Sequence, residues 1–261
     1  MPIRWAILVT KRLRLLLLAT AMLAISLVFL GGCQGDDDHS DKAAAPGASQ
    51  GKTSLALVDA TAAVKKNPRT VNGSGDPSDP VNIAIAGSKA QLLKAFSKAG
   101  WVVPDKRGLG ANTRMATSVI FKKSYPAAPI SDLYLYGRHQ DIAFEQEVDT
   151  GDGLSPAVRH HVRFWQSDEV ASDGTPIWLG AATFDSGVGV SFKGKPHTTH
   201  WIAPNIDEER QAVVDALQGA GAVEESGLQS GGLTSLTGLA NADGNPMYTD
   251  GKIVAIDLSS K

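Results

Sequence analysis

The chain has 261 residues, 43% of them hydrophobic and 20% charged, with a formal net charge of −2, a globular composition with room for a single ordinary domain. Arg4, Lys11, Arg12 and Arg14 stand at the extreme N-terminus, and without them 21 basic residues face 27 acidic ones, a net charge of −6. An acidic chain without a basic stripe excludes nucleic acid as the main partner, because phosphate binding needs clustered Lys and Arg, and a single cysteine, Cys33, excludes an intramolecular disulfide.

Residues 1–33 follow the plan of a secretory leader: a basic start, an apolar run from Leu15 to Leu30, and a small-residue end, Leu30-Gly31-Gly32-Cys33. The end resembles a bacterial lipobox, in which an aliphatic residue and two small ones precede the cysteine that receives the lipid. Gly31 is less usual at its place than Ala or Ser. An uncleaved membrane anchor is the alternative, but the 16 apolar residues fall short of the about 20 that span a bilayer. Residues 1–32 are therefore expected to be a lipoprotein signal peptide and Cys33 the lipidated first residue. The resemblance implies several acyl chains of the palmitate kind at Cys33. At about 0.8 kcal/mol per buried methylene they would fix the chain to a membrane. Gln34 stands where lipoproteins retained in an inner membrane often carry Asp, which implies an outer membrane facing the periplasm where the host has one.

From Gln34 to Pro80 the composition turns to Gly, Asp, Ala, Ser and Pro, with Asp36-Asp37-Asp38 and the run Gly73 to Pro80. Few large apolar residues are present to offset the entropy of ordering, so 33–79 is expected to be a flexible tether. Leu55 to Val64 reads equally as one helix or a strand. The acidic triplet is expected to serve solubility near headgroups rather than calcium binding.

The folded domain is expected over 80–258. Val81 to Ile85 alternate as a strand. A helix follows, with Ser88 and Gln91 as a capping box, Leu92, Ala95, Phe96 and Ala99 as its inner face, and Gly100 as its stop. Trp101 to Val103 read as a short strand or packed exit. A second helix over 112–123, with Met115 and Val119 inward, is weakened by its β-branched residues. Pro126 and Pro129 stiffen a loop before the strands Leu133–Tyr136 and Ile142–Val148, joined through 137–141. Strands are expected near 158–166, 177–184 and 188–192, then a helix capped by Asn205 with Val213, Val214 and Leu217 buried. Residues 226–238, rich in Gly and Ser, read as a mobile loop, and Asp250-Gly251 turns into a last strand, Lys252 to Leu258. The sum is α+β, one domain with a mostly antiparallel sheet and two to three helices.

Tyr125-Pro126-Ala127-Ala128-Pro129-Ile130-Ser131-Asp132-Leu133-Tyr134, Gly137-Arg138, Gln140-Asp141, the run Arg159 to Trp165, Trp178 to Asp185, Gly187-Val188-Gly189, Ile206 to Arg210 and Thr249-Asp250-Gly251-Lys252 together resemble the LssY C-terminal domain family over about residues 80–258. Some members carry this domain behind membrane-embedded modules similar to DedA-type proteins or type-2 phosphatidic acid phosphatases. This chain lacks those modules and the phosphatase pattern of Lys, Pro-Ser-Gly-His and Arg-plus-His boxes, so no phosphatase activity follows. The resemblance implies an envelope setting next to lipid chemistry.

Alternation on a strand puts Arg159, His161, Arg163 and Trp165 on one side and His160, Val162 and Phe164 on the other. Two readings of the cationic side are open. Arg159 and Arg163 hold a phosphate or carboxylate, with His161 as acid or base; or the row is an exposed face paired with Glu145, Glu147 or Asp185, the blander reading and the favoured one. Asp185 is expected in a tight turn, Ser186 to Gly189, binding a backbone amide. His197 and His200 share a face only if their segment turns, and Pro196 and Trp201-Ile202 favour extension. A zinc or manganese site built from His160 or His161 with Asp185 and His200 is disfavoured, and no metal or cofactor is expected. A Gly-x-Ser-x-Gly elbow, a Walker loop, a His-Glu-x-x-His helix and a dinucleotide fingerprint are all missing from the sequence.

The expectation is a lipid-anchored envelope module that binds an anionic or lipid ligand, or a membrane-protein partner. The alternative is a hydrolase of a phosphorylated or lipid envelope substrate that uses His161, Asp185 and His200, with Arg159 and Arg163 binding the ligand.

Overall fold

A computed structural model describes residues 55–258, apart from 109, 112, 113, 116, 117, 119–122, 152 and 192–196. The leader, Cys33, the acidic triplet and most of the helix expected over 112–123 lie outside the described residues. In chain order the elements are α1 (Leu55–Lys66), β1 (Arg69–Val71), β2 (Pro77–Pro80), β3 (Ile83–Ala86), α2 (Lys89–Lys98), β4 (Tyr134–Leu135), β5 (Arg138–His139), β6 (Ile142–Glu147), β7 (Arg159–Val170), β8 (Pro176–Ser191), β9 (His197–Ile202), α3 (Ile206–Gly219), β10 (Val223–Ser230) and β11 (Lys252–Leu258). The larger sheet runs β10-β11-β3-β8-β7-β6 and is antiparallel except between β11 and β3; the smaller runs β2-β1-β4-β5. The protein is an α+β domain. No helix among the described residues is long and apolar enough to cross a membrane.

Alternation along β7 and β8 assigns every side chain in the centre of the sheet. Even-numbered positions, Val162 opposite Ala182 and Phe164 opposite Gly180, face a core completed by Leu92, Phe96, Val213 and Leu217 of α2 and α3. There the Phe96 and Phe144 rings stack at 4.1 Å, and Phe164 meets Phe96 edge-on at 5.6 Å. Gly180 has no side chain because none fits: a Cβ there would stand 2.5 Å from the Phe164 ring. Odd-numbered positions face the other way. Trp165 opposite Leu179 joins a second core with Ala60, Ala63 and Val64 of α1, Leu135 of β4 and Leu133 just before it. Further along the same face come Arg163, His161 and Arg159, opposite Ala181, Thr183 and Asp185.

The helix over Lys89–Lys98 begins with the anticipated box, Gln91 N donating to Ser88 Oγ at 3.2 Å and Ser88 N to Gln91 Oε1 at 2.8 Å. Asn205 caps α3, and Val213, Val214 and Leu217 are its buried stripe. Four expectations need correction. Residues 55–79 are not tether: they form α1, β1 and β2, and a helix that buries small residues, Ala60 and Ala63, against a sheet needs few large ones. Residues 226–230 belong to edge strand β10, paired with β11, where backbone hydrogen bonds serve Gly and Ser as well as any residue. The two strands expected over 177–192 are one, β8, with a bulge between Asp185 and Gly187 in place of a turn. Tyr136 and Gly137, with φ 54 and 72, fold the chain back into the additional short strand β5.

β8 outlasts β3. Beside it β3 pairs Ile177 to Gly180, and β9 pairs Asp185 to Ser191 along the same edge. Asn82 fills the gap: its Nδ2 donates to Ala182 O and its Oδ1 accepts from Ala182 N, each at 2.9 Å. The bulge and this substitute rung aim Asp185 away from solvent and bring β9 over the odd-numbered face.

Candidate functional site

Arg159, His161, Arg163, Asp185 and His200 all line one pocket of about 740 Å³. Its floor is the odd-numbered face of β7 and β8. Asp79 of β2 and Asn72 beside β1 come from the smaller sheet, Pro129 to Leu133 from the stiff loop, Val188, Thr199, His200 and Ile202 from the β8–β9 ribbon, and Asn241 to Asp243 from the segment before β11.

The cationic row is buried, not exposed: Arg159, His161 and Arg163 are 2%, 2% and 4% accessible. Charges taken out of water must be matched, and these are. Arg159 Nε donates to Asp185 Oδ2 at 3.1 Å, while Nη1 reaches Ala128 O at 3.0 Å and Glu145 Oε2. Arg163 Nε donates to Ser131 O at 3.0 Å, Nη2 to Ser131 Oγ at 3.2 Å, and Nη1 lies 3.6 Å from Asp79 Oδ2. Of the partners foreseen for the row, Glu145 and Asp185 are found, while Glu147 accepts instead from Ser124 Oγ and from Tyr125 N at 2.7 Å. Most of the donors of Arg159 and Arg163 that would clamp a ligand are thus engaged within the protein; of the two guanidiniums, only Nη2 of Arg159 has no protein partner among the described residues.

His161 is locked at both nitrogens. Arg163 Nη1 lies 3.1 Å from its Nδ1, and because a guanidinium only donates, Nδ1 accepts. The ring proton is therefore on Nε2, which donates to Asp185 Oδ1 at 2.8 Å. Burial lowers the His161 pKa and keeps the ring neutral. A histidine so held orients a carboxylate and cannot exchange protons with a ligand.

Asp185 is where the network converges. Burial pushes its pKa up, but the His161 and His200 rings outweigh burial and hold it well below the usual carboxylate range. His200 Nδ1 lies 2.8 Å from Asp185 Oδ2, off the line of an aligned hydrogen bond. The His200 side chain is 23% accessible and Asp185 5%, so the imidazole stands between the buried carboxylate and the open pocket. Glu145 takes the opposite course: burial raises its pKa to about 8, Arg159 is shared with Asp185, and its Oε1 has no partner.

The remaining histidines go elsewhere. His160 faces the other core, 2.6 Å through Nδ1 from Glu209 Oε2 and beside Phe184, which agrees with its expected inward side. Burial raises Glu209 to about 7. His197 opposes Ser191 in the extended strand β9. Asp79, Ser131 and Asp243 were not among the expected site residues. Asp79 sits in a Gly/Ser/Pro-rich run and Asp243 follows one, so composition hid both.

The sequence model of the family described as LssY C-terminus matches residues 61–253. This chain belongs to that family. No curated protein and no solved structure matches it. The LssY C-terminus match starts within α1 and ends within β11, so it takes in β1, β2 and every residue that lines the pocket. The family domain therefore begins well before residue 80, and Asp79 belongs to it.

Proposed function

We propose that this protein is a lipid-anchored module of the bacterial cell envelope whose domain takes one amphiphilic, lipid-type ligand into the pocket above Asp185. The pocket carries the reading: about 740 Å³ falls among small-molecule sites, which span ~300–1,000 Å³ and combine apolar walls with few polar groups. Met115, Ile130, Leu133, Val188 and Ile202 supply the apolar walls. The floor carries little unmatched charge, because Asp185 and Asp79 answer Arg159 and Arg163. Of the lining cations, only the exposed Arg107 and Nη2 of Arg159 have no protein partner among the described residues, which suits a single polar head with an apolar chain. The leader ending in Leu30-Gly31-Gly32-Cys33 supports attachment at a membrane, where such ligands reside.

The test is mass spectrometry of organic extracts from the full chain purified out of membranes in mild detergent. An amphiphile near one per protein is expected, lost in Val188→Trp, which fills the pocket from the ribbon without entering a core. A wild-type protein that is consistently empty would refute the ligand. Cys33→Ala is expected to move the chain from the detergent to the aqueous phase, and retention of lipid by that variant would overturn the anchor.

A further inference from the structure

We propose that the pocket hydrolyses its ligand, a carboxylic ester with an apolar acyl chain, with His200 as the catalytic acid–base residue. This rests on the pocket-binding reading and goes beyond it. A buried carboxylate beside Nδ1 of an imidazole places the proton on Nδ1 and leaves Nε2 as a lone-pair nitrogen. At His200 that nitrogen has no partner among the described residues, and the ring lines the pocket. Asp185 is fixed from its other sides by Arg159 Nε at 3.1 Å and His161 Nε2 at 2.8 Å, so it acts as the positioning residue. The loose Nδ1 approach is of the kind that tightens when a ligand fills a site.

The same inventory selects the chemistry. Thr199 Oγ1 donates to Asp243 Oδ2 at 2.7 Å, and no serine or threonine hydroxyl among the described residues is hydrogen-bonded to the His200 ring, so the nucleophile is water. His200 Nε2 takes a proton from water as its oxygen bonds to the ester carbonyl carbon. The carbonyl oxygen takes up the electron pair as an oxyanion, and Arg159 Nη2, the free donor beside Asp185 on the pocket floor, meets it. The oxyanion then collapses, the carbon–oxygen bond to the alcohol breaks, and the proton on Nε2 passes to the departing alkoxide. The products are a fatty acid and an alcohol. A phosphomonoester dianion calls for several free cationic donors, whereas one oxyanion calls for little more than the free edge of Arg159; the apolar walls suit an acyl chain.

The probes are p-nitrophenyl butyrate and p-nitrophenyl octanoate with the full chain in detergent, and bis(p-nitrophenyl) phosphate beside them. Ester hydrolysis that favours the longer chain is expected. His200→Gln lowers kcat by about 10²- to 10⁴-fold, the range for removing a general base, with KM little changed. His139→Gln, an exposed histidine away from the pocket, leaves the rate unchanged, which separates a site from solvent-facing imidazole. Asp185→Asn, assayed on folded material, lowers kcat and not KM. Equal rates for wild type and His200→Gln, or cleavage of the phosphodiester alone, overturn the proposal. So does failure to cleave either ester by protein that binds the ether analogue p-nitrophenyl octyl ether. That last outcome leaves the binding reading standing, and failure to bind the ether as well removes both.

Discussion

Glu145 concentrates the electrostatic cost of this site. It stands opposite His161 across β6 and β7, is 1% accessible, and competes with Asp185 for one guanidinium. Its carboxyl keeps a proton in the folded chain up to about pH 8, while an unfolded glutamate releases it near 4.3. The folded state therefore binds more protons across that window, and stability falls as pH rises through it. Glu209, raised to about 7, acts in the same direction over a narrower range. Asp185 and His161 act oppositely: a depressed carboxylate and a depressed imidazole both cost stability as pH falls. Glu145→Gln is expected to flatten the decline between about pH 5 and 8 and so to melt above the wild type at pH 7, where the folded glutamate holds a proton that its unfolded form has released, read from thermal melts across that range. A variant that melts with the wild-type slope would show that Glu145 is ionised in the fold. The sequence identified Glu145 as a neighbour of the row through strand pairing. It did not disclose burial, because alternation fixes which side a residue faces and not what later covers that side. The cover here is the loop around Ser131 with β2 and its Asp79, remote in sequence from β7.

Two glycines on β8 separate what an element needs from what its surface tolerates. Gly180 lies under Phe164, whose ring is held by Phe96 and Phe144, so a Cβ at 2.5 Å cannot be relieved by a rotamer change. Gly189 lies under Trp201, with a Cβ at 2.3 Å from the indole nitrogen, but Trp201 is 54% accessible and its ring is free to swing outward. Gly180→Ala is expected to cost about 1–3 kcal/mol in chemical denaturation, the range for overpacking a core. Gly189→Ala leaves stability within about 0.5 kcal/mol and alters tryptophan fluorescence instead. Equal destabilisation by both would mean that the β8–β9 ribbon packs more tightly than Trp201 implies. At this scale the sequence was informative wherever local chemistry decides: the Ser88–Gln91 box, the Asn205 cap and the stripe of α3 are all where spacing puts them. It failed where a long-range partner decides. The bulge at Asp185 depends on β9 pairing along β8, and α1 depends on a sheet that small alanines approach closely.

The span of the domain follows from what α1, β1 and β2 cover. Ala60, Ala63 and Val64 lie against Trp165, Ile177, Leu179 and Ile253, none of them more than 0% accessible among those four, and Asp79 answers the buried Arg163. A chain that began at Val81, the boundary composition suggests, would uncover that apolar face and strand a guanidinium. Each large side chain returned to water costs about 1.5–3 kcal/mol, and breaking a buried pair costs about 3–5 kcal/mol. Against a total stability of about 5–15 kcal/mol, those losses exceed what a domain of this size holds in reserve. A chain from Lys52 to Lys261, which forms one compact unit, is expected to melt in a single cooperative transition. A chain from Val81 to Lys261 is expected to aggregate or to show no near-UV signal. Circular dichroism with size-exclusion chromatography reads both, and a shorter chain that matched the longer one in melting temperature would return α1 to the tether. The pocket gives the same comparison a functional edge, since it is lined partly by Asn72, Ser78 and Asp79: a segment whose composition resembles linker forms one of its walls, so the shorter chain is expected to lose ligand binding together with its fold.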